Sequence, residues 1–230
     1  MQRNIKSLIG YTMHATDGEI GKVKEFYFED TTWVIRYIIL ETGNWFLNRK
    51  VLISPQAIIK GNTESGMFSV NLSKEQIRTS PDIDTDKPVS QQQDIELYGH
   101  YAWQRYGGSG FYAGGSAAVM DNDPVIDEKI LTEADSRDKR VDDDLHLRST
   151  ETIIGYHIHS SDGDIGHVSD FIFDDDNWQI MQLVVDRHSW FNGEKVFIET
   201  RNIKEIQWQN SKVIVDISKE SLNKLPKDNK

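Results

Sequence analysis

LIGYTMHATDGEIGKVKEFYFED, residues 8–30, returns as IIGYHIHSSDGDIGHVSDFIFDD, residues 153–175. The register holds without a gap well beyond this stretch. Gly10 falls on Gly155, Trp33 on Trp178, Phe46 on Phe191 and Ser73-Lys74-Glu75 on Ser218-Lys219-Glu220, so one offset of 145 residues carries Leu8–Ile77 onto Ile153–Leu222. About a third of the paired positions are identical. A repeat this long is a domain, since solenoid units recur about every 20–50 residues. The 230-residue chain reads as two copies of one small domain, residues 1–80 and 151–230, joined by a connector over 81–150.

Domains of that size bury only about 60–65% of their unfolded surface, so each copy is near the lower limit of independent stability. The chain has no cysteine, which excludes disulfides, thiolate nucleophiles and cysteine metal sites. No apolar run approaches the roughly 18 residues of a membrane span. The N-terminal segment has no apolar signal core, and a soluble cytoplasmic protein is expected. The net charge of −11 is uneven: +2 over residues 1–80, −8 over 81–150 and −5 over 151–230. Phosphate binding needs clustered Lys and Arg, so this distribution argues against nucleic acid as a partner.

Within the first copy, Ile9, Tyr11 and Met13 alternate with polar residues and predict a strand. Thr16-Asp17-Gly18-Glu19 reads as a tight hairpin turn with positive φ at both central residues. The alternation resumes from Ile20, and Gly21 marks a bulge where Val23 falls out of step. Further strands are predicted over Trp33–Leu40, Lys50–Ile53 and Met67–Leu72. Ser73-Lys74-Glu75-Gln76 has the spacing of a capping box opening a short helix. The second copy preserves these signals, including Asp162-Gly163 and Gly166. Short strands with turn signals and little helix predict a mostly β fold, with each copy a small closed or half-open β-barrel.

These residues resemble the PRC-barrel family. The resemblance is carried by Gly10, by Asp17-Gly18-Glu19-Ile20-Gly21, by the acidic stretch from Phe28 to Trp33, by Val51 to Ile58, and by their second-copy partners from Gly155 onward. It covers both copies and not the connector. In the photosynthetic reaction centre H subunit such a barrel caps a membrane complex; in the ribosome maturation factor RimM it docks on a ribosomal protein. Neither an anchor like that of the first nor a separate N-terminal domain like that of the second is expected from these residues. It looks like the stand-alone bacterial tandem PRC-barrel proteins, for which the resemblance implies no catalytic activity.

No nucleophile elbow, phosphate loop or dinucleotide fingerprint is present, so the chain reads as a non-enzyme needing no cofactor. The carboxylates at Glu29-Asp30 and Asp174-Asp175-Asp176 read as turn residues satisfying their own backbone. His157 and His159 share a strand face, and His167 is a third candidate for a Zn²⁺ or Ni²⁺ site. Only His14/His159 repeats between copies, so no metal is expected, and a metal- or ligand-binding sensor is the alternative reading.

Binding residues are sought among the aromatics. Trp45-Phe46 and Trp190-Phe191 occupy the same loop of both copies, whereas Trp33 and Trp178 read as core. The connector carries Tyr98, Tyr101, Trp103 and Tyr106 beside a Tyr/Gly-rich run, too many rings for a plain solvated spacer. The expected function is an adaptor or structural protein that binds a protein partner, or itself, through barrel faces. The two barrels are expected to associate, with Tyr98–Tyr112 contributing to the contact. A RimM-like RNA accessory is the further alternative.

Overall fold

The computed structural model describes residues 1–43, 49–59, 66–80, 97, 99–101, 147–187 and 195–222. The first repeat contains β1 (Gln2–Asn4), β2 (Thr12–Ala15), β3 (Gly18–Glu29), β4 (Ile35–Thr42), β5 (Lys50–Ile53), β6 (Met67–Ser69) and helix α1 (Lys74–Arg78). Next come β7 (Leu147–Ser149), at the end of the stretch read as connector, and helix α2 (Thr150–Ile153). The second repeat continues with β8 (His157–Ser160), β9 (Gly163–Asp174), β10 (Gln179–Arg187), β11 (Lys195–Glu199), β12 (Ile203–Gln207), β13 (Lys212–Val215) and helix α3 (Lys219–Leu222). The chain is mostly β, as its patterning predicts.

Each repeat builds one curved sheet. The first runs β5-β4-β3-β2-β6 and the second β11-β10-β9-β8-β13-β12. All neighbours are antiparallel except β2–β6 and β8–β13. In the first repeat Ile58 bridges Val70 and so links the segment after β5 back to that after β6. The strand predicted from Ile9 starts later: Ile5–Leu8 forms a 3-10 turn and Ile9 lies 41% exposed.

The Asp-Gly hairpin forms, but not in the expected turn conformation. Ala15 pairs with Gly18, so the loop is Thr16-Asp17, and of the turn residues only Gly18 has positive φ, at +130°. Asp17 recurs as Asp162 for another reason. The Asp17 carboxylate accepts the Lys74 N–H at the start of α1 (2.8 Å), and Asp162 accepts the Lys219 N–H at the start of α3 (2.9 Å). Each closes an orphan helix donor from the hairpin at the end of the adjacent parallel strand, β2 beside β6 and β8 beside β13. Ser73 and Gln76 form the predicted capping box. The bulge falls at Ile20, between the Gly21 and Glu19 pairings. A Cβ on Gly21 would lie 2.2 Å from the Glu41 carbonyl oxygen, and one on Gly166 2.1 Å from that of Asp186. Only glycine lets these strands approach so closely.

The sheets do not close separately. β3 and β9 are both 12 residues long, and β2 and β8 pair with only their first halves. The remaining edges are covered from across the molecule. β7 pairs with Tyr27–Glu29 of β3, and β1 pairs with Ile172–Asp174 of β9. The strand preceding each repeat thus completes the sheet of the other. Such an exchange removes two open edges that would otherwise template aggregation.

A pseudo-twofold axis follows from the pairings. Val34 and Gln179, equivalent under the 145-residue offset, bridge one another. The Ile35 N–H donates to the Trp178 carbonyl (2.8 Å) and the Ile180 N–H to the Trp33 carbonyl (2.7 Å). Phe26 packs on Phe173 and Phe28 on Phe171, two equivalent contacts across the axis. The buried residues of both repeats form one continuous hydrophobic core. The barrels therefore associate, as their small size led us to expect.

Candidate binding clefts

The exchanged strands are held by charge as well as by backbone pairing. Arg3 on β1 donates through Nε to Asp175 of the second repeat, and Arg148 on β7 donates through Nε to Asp30 of the first, each at 2.7 Å. All four side chains are mostly buried. Glu25 and Asp170, also equivalent, are buried carboxylates beneath the exchanged segments. Glu25 accepts from the Ser149 hydroxyl. Asp170 accepts from Asn4 Nδ2 (3.0 Å) and the Lys6 N–H (3.0 Å). The turn carboxylates thus do more than satisfy their own backbone, the role first read for them.

Asp174, Asp175 and Asp176 bring carboxylate oxygens within 4.8 Å of one another. The Met1 ammonium lies among them at 3.0, 2.6 and 3.2 Å. Asp175 first, then Asp174, raise its pKa from 8.0 to about 11. Burial of Asp175 works to raise the carboxyl pKa, but hydrogen bonds from the ammonium and Arg3 hold it below the usual range.

Beside these clamps lie two clefts at equivalent positions, each crossing from one repeat to the other. The first, about 190 Å³, is lined by Leu8, Pro55, Ile58, Ile59 and Phe68 of the first repeat and by Phe173 and Trp178 of the second, with Arg3, Asp175 and Asp176 at its rim. The second, about 730 Å³, has Trp33, Asp30 and Arg148 in the corresponding places. Its opposite wall is Thr200, Ile203 and Lys204, and it includes Arg201, Glu205 and Trp208. Arg148 stacks over Trp208, its Cζ 4.0 Å from the ring centre.

Trp33 and Trp178 are the buried core residues the sequence predicts, but they sit in turns ahead of β4 and β10 with φ +60° each. This uncommon conformation aims each carbonyl across the pseudo-twofold axis. Stacking on Phe28 and Phe173, respectively, fixes each indole.

Of the predicted binding residues, Tyr101 is described, and it is buried, 6% exposed, in the core cluster with Leu97. Burial raises its phenol above the ordinary 10.0, against opposing pulls from Ser80 and Arg49. Its neighbour His100 meets the Gln76 carbonyl of α1 at 2.7 Å. Trp45, Phe46, Trp190, Phe191, Tyr98, Trp103 and Tyr106 lie outside the described residues.

His157 and His167 face each other across β8 and β9. His157 Nδ1 lies 3.8 Å and His159 Nδ1 3.5 Å from Asp164, while His167 Nε2 lies 3.9 Å from Asp186. The histidines therefore divide between two carboxylates. Gly10 and Gly155 occupy equivalent turns with φ +86° and +94°, and each donates its N–H at 2.8 Å to a valine carbonyl of the long strand, Val23 of β3 or Val168 of β9. Gly163 matches Gly18 in the hairpin turn, with φ +118°.

A family model for the PRC-barrel domain matches the chain twice, over residues 2–77 and 148–222. The chain belongs to the PRC-barrel family. Both matches begin at the exchanged strands, so each PRC unit spans a β1 or β7 donated to its neighbour. A search of curated proteins finds no match. PRC-barrel domains occur in adaptor and structural settings. Among the described residues no helix is long and apolar enough to cross a membrane.

Sequence reasoning missed the exchange and the clefts it creates. A signal was present. The offset of 145 also pairs Arg3 with Arg148, upstream of the most similar stretch, and Asp30 with Asp175 at its end.

Proposed function

We propose that this PRC-barrel protein is a non-catalytic adaptor of the cytoplasm, in which the coupled pair of barrels is the binding unit. Residues 1–80 and 151–230 supply the barrels, with 147–150 completing the first, and the rest of 81–150 serves as connector. One observation carries the reading: reciprocal strand exchange fuses both repeats into one core and leaves two clefts at equivalent places with different walls. A core shared in this way holds both clefts in fixed geometry, so partners can engage without paying to order the scaffold. Two distinct contacts on one chain also give avidity towards a partner that reaches both.

The test places a photo-cross-linking amino acid at position 59, on the lip of the first cleft, and at position 204, in the second. Cells expressing the full chain are irradiated, and the adducts are identified by mass spectrometry. The reading expects a defined protein adduct from at least one position and none from a control at exposed Lys24. Equal background from all three would overturn it.

A further inference from the structure

The cleft over Trp178 has the size and chemistry of a pocket for one side chain. Its volume of about 190 Å³ exceeds the roughly 150 Å³ that suffices for a benzene ring in a dry apolar cavity. Phe68 and Phe173 flank Trp178 with ring centres 6.2 and 5.4 Å away. Ile58 and Pro55 add aliphatic surface, and Ile59 stands at the lip 49% exposed. Aromatic walls favour offset or edge-on contact with another ring.

The rim sets the sign of the occupant. Asp175, Asp176 and Arg3 line the cleft, and among the described residues Asp174, Asp175 and Asp176 gather three carboxylates against two cations, the Met1 ammonium and Arg3. Asp175 is engaged by both cations. The Asp176 side chain is 74% exposed at the mouth. The excess is negative, and the protein as a whole carries −11. An anion at the mouth would meet repulsion, and a cation attraction. Aromatic faces add to this preference for positive charge.

We propose that this cleft captures an aromatic side chain of a protein partner, presented beside Lys or Arg. The assignment rests on the adaptor reading and names the partner's chemistry. The aromatic ring fills the pocket as a buried anchor, and the flanking cations lie against Asp176. Anchors of this kind carry most of the energy of an interface. The second cleft is about 730 Å³, wider than one ring needs, and sets Thr31, Thr32, Gln179, Thr200 and Lys204 beside its apolar lining, so the aromatic site is assigned to the first.

The test is an NMR titration of the full chain, following the indole N–H signals of Trp178 and Trp33. Three capped peptides serve as probes: Gly-Lys-Phe-Lys-Gly, Gly-Glu-Phe-Glu-Gly and Gly-Lys-Ala-Lys-Gly. The first should shift Trp178 saturably and bind about tenfold tighter than the second. The third should not saturate, and Trp33 should stay unmoved. Asp176→Lys, at an exposed position, should erase or invert the charge preference without altering the spectrum elsewhere. Ile59→Asp should weaken ring capture in both Phe peptides relative to wild type. Equal binding of the Ala peptide, a shift centred on Trp33, or no saturable shift up to about 10 mM would overturn the proposal. An adduct at position 204 alongside a silent Trp178 would sink the aromatic pocket and leave the adaptor reading standing. Silence in both experiments would remove both.

Discussion

The cleft over Trp178 is walled by Pro55, Ile58, Ile59 and Phe68, and its counterpart over Trp33 by Thr200, Ile203, Lys204 and Trp208. Beneath these walls the frames match. Arg3–Asp175 repeats as Arg148–Asp30, Trp178 repeats as Trp33 with the same φ, and β1 repeats as β7. Duplication has kept what joins the halves and released what faces outward. Frame residues are held by both copies at once, because each frame contact spans the axis. A wall residue answers to one cleft alone.

The largest effects should come from the shared core, and they test whether the halves are one unit. Phe28 and Phe173 are fully buried and stack on Trp33 and Trp178. Phe28→Ala and Phe173→Ala should each cost about 3–5 kcal/mol. Each should lower the midpoint of a single urea transition reported by probes in both repeats. Two separate transitions, with only the mutated half shifted, would break the comparison.

Next are the buried carboxylates. Asp170→Ala strands the Asn4 amide and the Lys6 and Phe171 N–H groups, whereas Glu25→Ala strands the Ser149 hydroxyl and loosens Lys50 at 3.8 Å. Losses of about 1–3 kcal/mol are expected for buried groups left unmatched. Asp170→Ala should lie at the upper end because two of the donors it abandons are backbone N–H groups. Hydrogen exchange should rise in residues 2–4 for Asp170→Ala and in 147–149 for Glu25→Ala. Exchange rising on the same side in both variants would contradict the reciprocal arrangement.

The arginines sharpen the comparison further. Arg3→Ala and Arg148→Ala should each cost about 1 kcal/mol, with Arg148→Ala worse by about 0.5–1 kcal/mol through its stacking on Trp208. A Trp208→Leu background should remove that difference in a double-mutant cycle on urea stability.

Acid should act most gently. Asp162 is held below 3.8 by Ser160 first and the Lys219 N–H second, and Asp175 is also held low. A carboxyl with a depressed folded pKa stabilises above its unfolded value, and that stability drains as pH falls through the folded one. The urea midpoint should therefore be flat above about pH 5 and decline below about pH 4. Asp162→Asn and Asp175→Asn should each flatten part of the decline.

Much of each barrel was legible in one line of residues. Period-two alternation, the Asp17-Gly18 and Asp162-Gly163 hairpins and the Ser73–Gln76 box are local signals, and local physics reads them. The partnership between repeats was not legible. Gln2-Arg3-Asn4 and Leu147-Arg148-Ser149 are too short to show a period, and their partners lie more than a hundred residues away. Trp33 and Trp178 were legible as core, but their positive φ was not, because a tryptophan adopts it only when tertiary hydrogen bonds hold it there. The clefts were invisible because their walls come from both copies. Only the recurrence of Arg3 and Asp30 at the common offset pointed towards them.

The exchange of β1 and β7 also sets a timetable for synthesis. The first repeat leaves the ribosome with one edge of the second half of β3 uncovered, and the strand that covers it is translated only at the end of the connector. Until residue 149 emerges the nascent barrel carries an open edge, the kind of surface that chaperones bind and neighbouring chains invade. Closing a loop of that length slows the search for the native pairing far more than it weakens the result. A message cut short in the connector would therefore yield a barrel that is permanently unfinished.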